Sequence, residues 1–538
     1  MKLINKLFLS VLLVAVLAVA CDTDKLHELN INPNAVSKID LNYVLTAAQL
    51  GSAAGGSAGD NRYIDWRTNI GMCAYAIQQL GHIAGGIAPG DKYTDNPESN
   101  NAPFEFLMGD VGKNTALIIK QTGPGGYAEG KNNNLRQATR ILRVFNFHRL
   151  TDYYGNVPYS EANKGLEGIF YPVYDNQESI YKDLLKELDE ASAALSASDP
   201  AFDQSGFSRA DLIYKGDVAK WKKWGYSLML RLAMRVSYVD AALANTYVTK
   251  AIAGGVFTSN SDNVWIPMAV GPSQWTNQNG ISRAFYPGDG GQPSYLSKVL
   301  IDWLKGTNAG VTTDDDPRLM IMSGGIGKWL TSGFTPEPGG TDPLNQKGLP
   351  NGNDQSQIDA LEGKAVVQET TFSRINPKLL DLNDPYMLMN YGEVKLLLAE
   401  AANRGIGGAT GAQAHYDEGV KASMQMYTPF DASFAVSDAA VTTYLTTYPY
   451  VAGATGLRKI GEQVWANKFM NWWEAWSDWR RTGFPLLTPT NYVGNLTGGK
   501  IPTKLTLPSA EVAGNPNYAT GATQPDLLTG KVWWDVKD

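Results

Sequence analysis

A mainly α-helical fold with a second, loop-rich half containing minor β structure is what these 538 residues predict, on three observations. Apolar residues recur at helical spacing over nine stretches, most of them 12–22 residues long. Several of these stretches are joined by short connections, as antiparallel helix pairs are. Between them lie four long Gly, Pro and Asn-rich segments, 85–101, 264–293, 324–357 and 492–528, each longer than an ordinary unstructured connection. Such segments either carry small strands of their own or collect binding residues on a rigid scaffold. None reads as a linker between independent domains, so one domain over 41–538 is expected.

The helical stretches follow in order. Patterns occupy Leu41–Ala53, Tyr63–Gln79 and Leu135–Tyr153. In Tyr174–Leu195, Asp175 and Glu178 stand at capping-box spacing ahead of a stripe at Ile180, Leu184, Leu185 and Leu188. Asp217 can cap the next helix, whose stripe is Trp221, Trp224, Leu228 and Leu232. Further patterns cover Tyr295–Lys305, Met387–Arg404, Ala412–Met426 and Gly461–Arg481. In the last, Trp472, Trp476 and Trp479 share one face and predict burial, with Glu474 expected as the partner of Arg480 or Arg481.

The amino terminus is not part of this scaffold. Lys2 and Lys6 precede an apolar run from Leu7 to Ala20, the anatomy of a secretory signal and too short to span a bilayer. Cys21 directly follows Leu17-Ala18-Val19-Ala20, which resembles a bacterial lipobox with its leucine one step further out than usual. The expectation is a signal over 1–20, lipidation at Cys21 and a polar tether over 21–40; an ordinary secretory signal with an incidental cysteine is the alternative. Asp22 beside the lipid fits either surface export or inner-membrane retention.

Composition excludes several function classes. A net charge of −7, with no basic run beyond the signal, leaves no electrostatic footprint for nucleic acid. With Cys21 lipidated, Cys73 is the sole remaining thiol, so no intramolecular disulfide can form. His27, His82, His148 and His415 lack the spacing of a zinc site, and no Gly-x-Ser-x-Gly elbow is present. Gly123-Pro124-Gly125-Gly126 lacks the lysine and hydroxyl of a phosphate loop. No cofactor is expected; Asp314-Asp315-Asp316 could contribute to a calcium site but has no EF-hand pattern. With 53 acidic residues, a glycosidase pair set by distance in space rather than by spacing stays open.

Several motifs, taken in order, carry a resemblance. Asp152-Tyr153-Tyr154-Gly155-Asn156-Val157-Pro158-Tyr159, Asp316-Pro317-Arg318-Leu319, Tyr391-Gly392-Glu393-Val394 through Ala399-Glu400-Ala401, Glu462 to Phe469, Glu474 to Pro485, Ile501-Pro502 and Val532-Trp533-Trp534-Asp535 resemble the SusD/RagB superfamily of Bacteroidetes. The resemblance implies a scaffold of four tetratricopeptide-like helical pairs and a binding role without catalysis. It also implies a surface-exposed outer-membrane lipoprotein. Such a protein would act as a hinged lid on a SusC-like TonB-dependent transporter, capturing an oligosaccharide or oligopeptide.

Ligand residues do not transfer from the family, so they are sought among aromatics and amides of the insertions. Trp66, Tyr75, Trp275, Asn277, Asn279, Arg283, Tyr286 and Trp329 are the candidates. Ring faces suit sugar C–H groups, while amides and guanidinium groups fork hydrogen bonds to hydroxyls or peptides. A lipoprotein glycoside hydrolase and a protein-binding helical scaffold are the alternatives to a nutrient receptor.

Overall fold

Polar side chains cap the starts of several helices, Asn176, Asp217, Asp240, Asn390 and Ser437 among them. In the computed structural model, described for residues 38–54, 63–83, 89–198, 203–271, 277–286, 294–308, 310–330 and 333–537, the longer helices are α1 (Leu41–Ala54), α2 (Gly112–Thr122), α3 (Asn133–Tyr154), α4 (Gln177–Ala194), α5 (Val218–Arg235), α6 (Ala241–Gly254), α7 (Tyr391–Arg404), α8 (Ala412–Gln425), α9 (Asp438–Thr447), α10 (Ala454–Asn467) and α11 (Trp472–Thr482). Residues 42–538 form one unit and residues 1–41 another, of which only 38–41 are described; Cys21 and its tether lie outside the described residues.

Asp217 caps α5 by accepting from the Lys220 amide, as expected. In α4 the cap is Asn176, which accepts from Ser179, one residue later than the expected Asp175 box. Asp175 instead accepts from the Tyr159 and Ser160 amides across the β2 (Val157–Pro158) and β3 (Tyr174–Asp175) pair. Helices pack in sequence, α3 on α4, α4 on α5, α5 on α6, then α7 on α8, with α10 on α7 and α9 on α8. This is the stacked-pair scaffold the resemblance implies. One apolar cluster, including Leu396, Tyr416, Val420, Val441, Tyr444, Ile460 and Val464, ties α7, α8, α9 and α10 together.

Three expected helices are cut short by strands or by a turn. Tyr386–Met389 is strand β9, paired with β4 (Val264–Ile266), and Asn390 then caps α7 by accepting from the Glu393 amide. Tyr295–Leu296 is β5, paired with β1 (Leu80–Gly81), and Ser297 caps the short helix Lys298–Leu304. The stretch Gly461–Arg481 is two helices, because Met470 adopts φ 75° between α10 and α11. The remaining sheet is β7 (Gly333–Pro336), β6 (Ser323–Leu330) and β8 (Ser373–Ile375), all antiparallel. Two of the four long insertions, 264–293 and 324–357, thus carry small strands, while the other two carry short helices among the described residues. The expected helix Tyr63–Gln79 is helical only to Ala76, and Asp65–Ala74 within it is wound as a π-helix.

The α10–α11 turn delivers Lys468 into the interior. There five carboxylates (Asp152, Glu393, Glu400, Glu474 and Asp478) face five cations (Arg231, Arg235, Arg404, Lys468 and Arg481). Arg231 grips Glu393 through two bonds of 2.6 and 2.7 Å, and Arg481 grips Glu400 likewise. Lys468 lies 3.2 Å from Glu393 and 3.3 Å from Glu474 and bonds Asp478. Glu474 is therefore not the partner of Arg480 or Arg481; it is bound by Arg235 on α5. Arg480 donates to the Asp152 and Thr503 carbonyls and lies 3.8 Å from the Trp476 ring centroid. Trp472 and Trp476 are buried as expected, while Trp479 is half-buried.

Burial alone would push the Glu474 carboxyl up, but Arg231, Arg235 and Lys468 together hold it well below the carboxylate range. Against the same burial, Lys468, Arg235 and Arg481 bring Asp478 down to about 2. Depressed folded values mean a contribution present above the unfolded pKa, near 4, and lost as pH falls toward about 2. Stability measured by denaturant titration should therefore fall between pH 4.5 and 2. Glu474→Ala, which leaves buried cations unpaired, should lower stability by about 3–5 kcal/mol at pH 7; a loss under 1 kcal/mol would contradict this account.

Candidate functional site

Of the expected ligand residues, Trp66 lies on the π-helix, and Arg283 lies on the helix Gly280–Phe285 that packs against it, with Tyr286 directly after that helix. Trp66 is half-buried, with the Arg67 guanidinium 4.0 Å from its ring centroid. Tyr286 is 41% exposed, and the mostly buried Arg283 guanidinium lies 5.4 Å from its ring. This is an exposed ring backed by a cation, a surface that a flat ligand can cover.

The amides on either side shape the backbone. Asn277 donates its side-chain amide to the Gly271 carbonyl at 2.7 Å, and its own carbonyl accepts from the Ala269 amide. Asn279 is buried as the cap of Gly280–Phe285, accepting from Ile281 and Ser282 while its amide donates to the Asp384 carbonyl. Tyr75, expected as a ligand contact, is fully buried and bonded to Ser294, and burial pushes its phenol up. Asn279 and Tyr75, expected as ligand contacts because they are an amide and an aromatic, are thus buried side chains engaged with the protein itself. Trp275 lies outside the described residues. Trp329 is half-buried on β6 and packs edge-on against Phe334 of the same hairpin.

Below Trp66, burial raises Asp65 to about 7, against the pull of its bonds from Tyr386 at 2.7 Å and Asn69 at 2.9 Å. Gly90 packs so closely on the π-helix that a Cβ would stand 2.0 Å from the Met72 carbonyl oxygen.

Elsewhere two surfaces were not legible as sites. A recess of about 980 Å³ opens between α2, α3 and the segment after β2, beside Leu166 and Phe170, which are 96% and 75% exposed. A cleft of about 370 Å³ lies between α9 and the Thr312–Pro317 segment. The three aspartates there do not converge as calcium ligands would. Asp314 accepts from Thr307 and Asn308, and Asp316 is paired with Arg318. Among the described residues, the His148, Asp152 and Glu474 ligand atoms come within 4.8 Å of one another, but Arg231 and Arg235 already neutralise that group.

Comparison with known proteins settles the family. The model of the SusD-like family, described as starch-binding and associating with the outer membrane, matches residues 69–508. The chain belongs to the SusD-like family. Its scaffold is shared with a chitin-binding protein at 32% identity, TM-score 0.76, covering 93% of this chain and 100% of that one. A SusD-like protein of Bacteroidetes AC2a matches at 24% identity and TM-score 0.77, over 93% and 100% of the two chains. A chitin-binding SusD homologue from Flavobacterium johnsoniae matches at 24% and 0.71, over 93% and 99%. No curated protein sequence matches. The family description is one of binding, and no helix among the described residues of this SusD-like chain is long and apolar enough to cross a membrane.

The raised Asp65 yields a test that separates support from contact. A folded pKa above the unfolded one gives stability that is full below about pH 4 and lost as pH rises through about 7. Asp65→Asn should therefore flatten the decline in melting temperature between pH 5 and 8; an unchanged slope would show that Asp65 does not titrate there.

Proposed function

We propose that this protein is a surface lipoprotein, anchored through Cys21, that captures β-linked N-acetylglucosamine oligosaccharides and passes them to a TonB-dependent outer-membrane transporter. It acts by binding rather than by catalysis. The observation that carries the ligand class is full-length similarity at 32% identity to a chitin-binding protein. The candidate residues supply suitable chemistry. The Tyr286 and Trp66 rings offer faces to pyranose C–H groups, Arg283 lies 5.4 Å from the Tyr286 ring, and Asn277 adds an amide for hydroxyls and acetamido groups. Trp329 and Trp275 remain candidates on neighbouring insertions. Oligopeptide capture is the second reading, since the same rings and amides accept peptide groups.

Isothermal titration with N-acetylglucosamine hexamer should show Tyr286→Ala and Trp66→Ala each weakening binding by about fivefold to tenfold, roughly 1 kcal/mol or more per ring. Unaltered affinity in both variants, or a preference for peptides, would move the site or the ligand class.

For the partner, the exposed Leu166, Phe170 and Tyr171 beside the recess form an apolar patch of the kind that marks protein contact. In native envelopes, Cys21→Ala should release the protein from the membrane fraction. Leu166→Asp with Phe170→Asp should leave it anchored yet no longer co-purifying with a barrel subunit. Retention of the barrel by the double variant would place the contact elsewhere.

A further inference from the structure

The segment 382–386, whose last residue opens β9, holds the 264–293 insertion at two places. The Leu382 carbonyl accepts from the Asn279 backbone amide at 2.9 Å, and the Asp384 carbonyl accepts from the Asn279 side chain at 3.1 Å. Asn383 Oδ1 accepts from the Val270 amide at 2.9 Å. Tyr386 fixes the far end of the segment through its bond to Asp65 of the π-helix. Asn279 caps Gly280–Phe285, so the helix that carries Arg283 and leads to Tyr286 is tied to this segment at its first turn.

Hydrogen bonds more than apolar burial hold the segment, since Leu382 and Pro385 are half-buried and Asn383 is exposed. Such a stretch opens locally at low cost. Asp384 is buried, at 6% exposure. Its Oδ2 accepts from the Asp381 amide at 2.9 Å. The charges that act on it are the carboxylates of Asp381, on its own segment, and of Asp431, the cap of Ala432–Phe434. The neighbouring cations are engaged elsewhere: Lys378 pairs with Asp431 at 3.2 Å, and the Arg283 guanidinium lies against the Tyr286 ring. Burial and two like charges therefore favour the neutral acid, and against the pull of the Asp381 amide they raise Asp384 to about 7.

We propose that residues 382–386 are a proton-operated strap: with Asp384 neutral it pins Val270 and Asn279, and with Asp384 ionised it releases them. Its part in binding rests on the reading of Arg283 and Tyr286 as ligand residues, to which it adds a control on when they are held in place. A folded pKa above the unfolded one makes the strap fully secure below about pH 4 and looser as pH rises through about 7. Asp65 titrates over the same range, but its anion accepts the Tyr386 hydroxyl more strongly than the neutral acid does, so its ionisation does not free the strap.

Hydrogen exchange read by mass spectrometry on the ligand-free protein tests this, because the Val270 and Asn279 amides are donors to the strap itself. After correction for intrinsic rates, exchange over residues 266–271 and 277–286 should be at least about fivefold faster at pH 8.5 than at pH 5.5. A smaller change overturns the proposal. Asp384→Asn, neutral at both pH values, should keep the pH 5.5 protection at pH 8.5; a full response in this variant also overturns it. Asp431→Asn removes a facing charge without altering the strap and should shrink the wild-type response, which covers the case in which Asp384→Asn folds poorly. Asn383→Ala should speed Val270 exchange at both pH values, and unaltered exchange there would show that the segment holds nothing. Failure of N-acetylglucosamine hexamer to bind bears only on the ligand reading, since exchange is read without it.

Discussion

Glu474 can stay ionised in the interior only because Arg231, Arg235 and Lys468 surround it, and those three cations arrive from two other places in the chain. Taking ions out of water carries a large desolvation cost that is offset only when geometry is good and remaining bonds are satisfied. The two bidentate arginine grips, on Glu393 and Glu400, meet that demand. A buried network of this kind is weaker evidence for stability than for specificity. Apolar side chains tolerate sliding past one another; paired charges do not. Here the network fixes the register of α5, α7 and α11 against α3.

The sequence motifs that pointed to the family are largely this network. Asp152 comes from the first motif, Glu393 and Glu400 from the α7 motif, Lys468 from the α10 motif, and Glu474, Asp478 and Arg481 from α11. The motif Asp316-Pro317-Arg318 forms a second buried pair, in which Arg318 also reaches Ser423 and Gln463. The recognisable residues therefore mark the scaffold, while the rings assigned to ligand lie on insertions that bear no motif. Such a division lets the frame persist while the binding surface varies.

Helices were legible because their apolar period and caps are local. The correct cap at Asp217 and the buried Trp472 and Trp476 followed directly from spacing. What spacing could not carry was the competition between local and distant partners. Met387 and Leu388 fit a helical pattern but pair as a strand with β4, since both faces are buried there and the ladder satisfies their backbone. Glu474 stands six residues before Arg480 on the same helix, beyond the reach of a three- or four-residue pair, and Arg235, 239 residues away, binds it. At the candidate site, Tyr75 shares its helix with Trp66, and nothing in the pattern says which of the two faces the interior. The cleft near Asp315 was visible only as an acidic run, because its walls come from three separated segments.

Trp534 reaches back across 382 residues to donate its indole hydrogen to Asp152, beside the Arg235 and Arg480 guanidinium groups. A contact of such sequence separation is formed late, since loop closure must precede it. The Asp152 carboxylate therefore completes its bonding only once two segments 382 residues apart have met. The stretch around residue 534 acts as a latch on an interior built far upstream, tying widely separated parts of the chain into one cooperative unit.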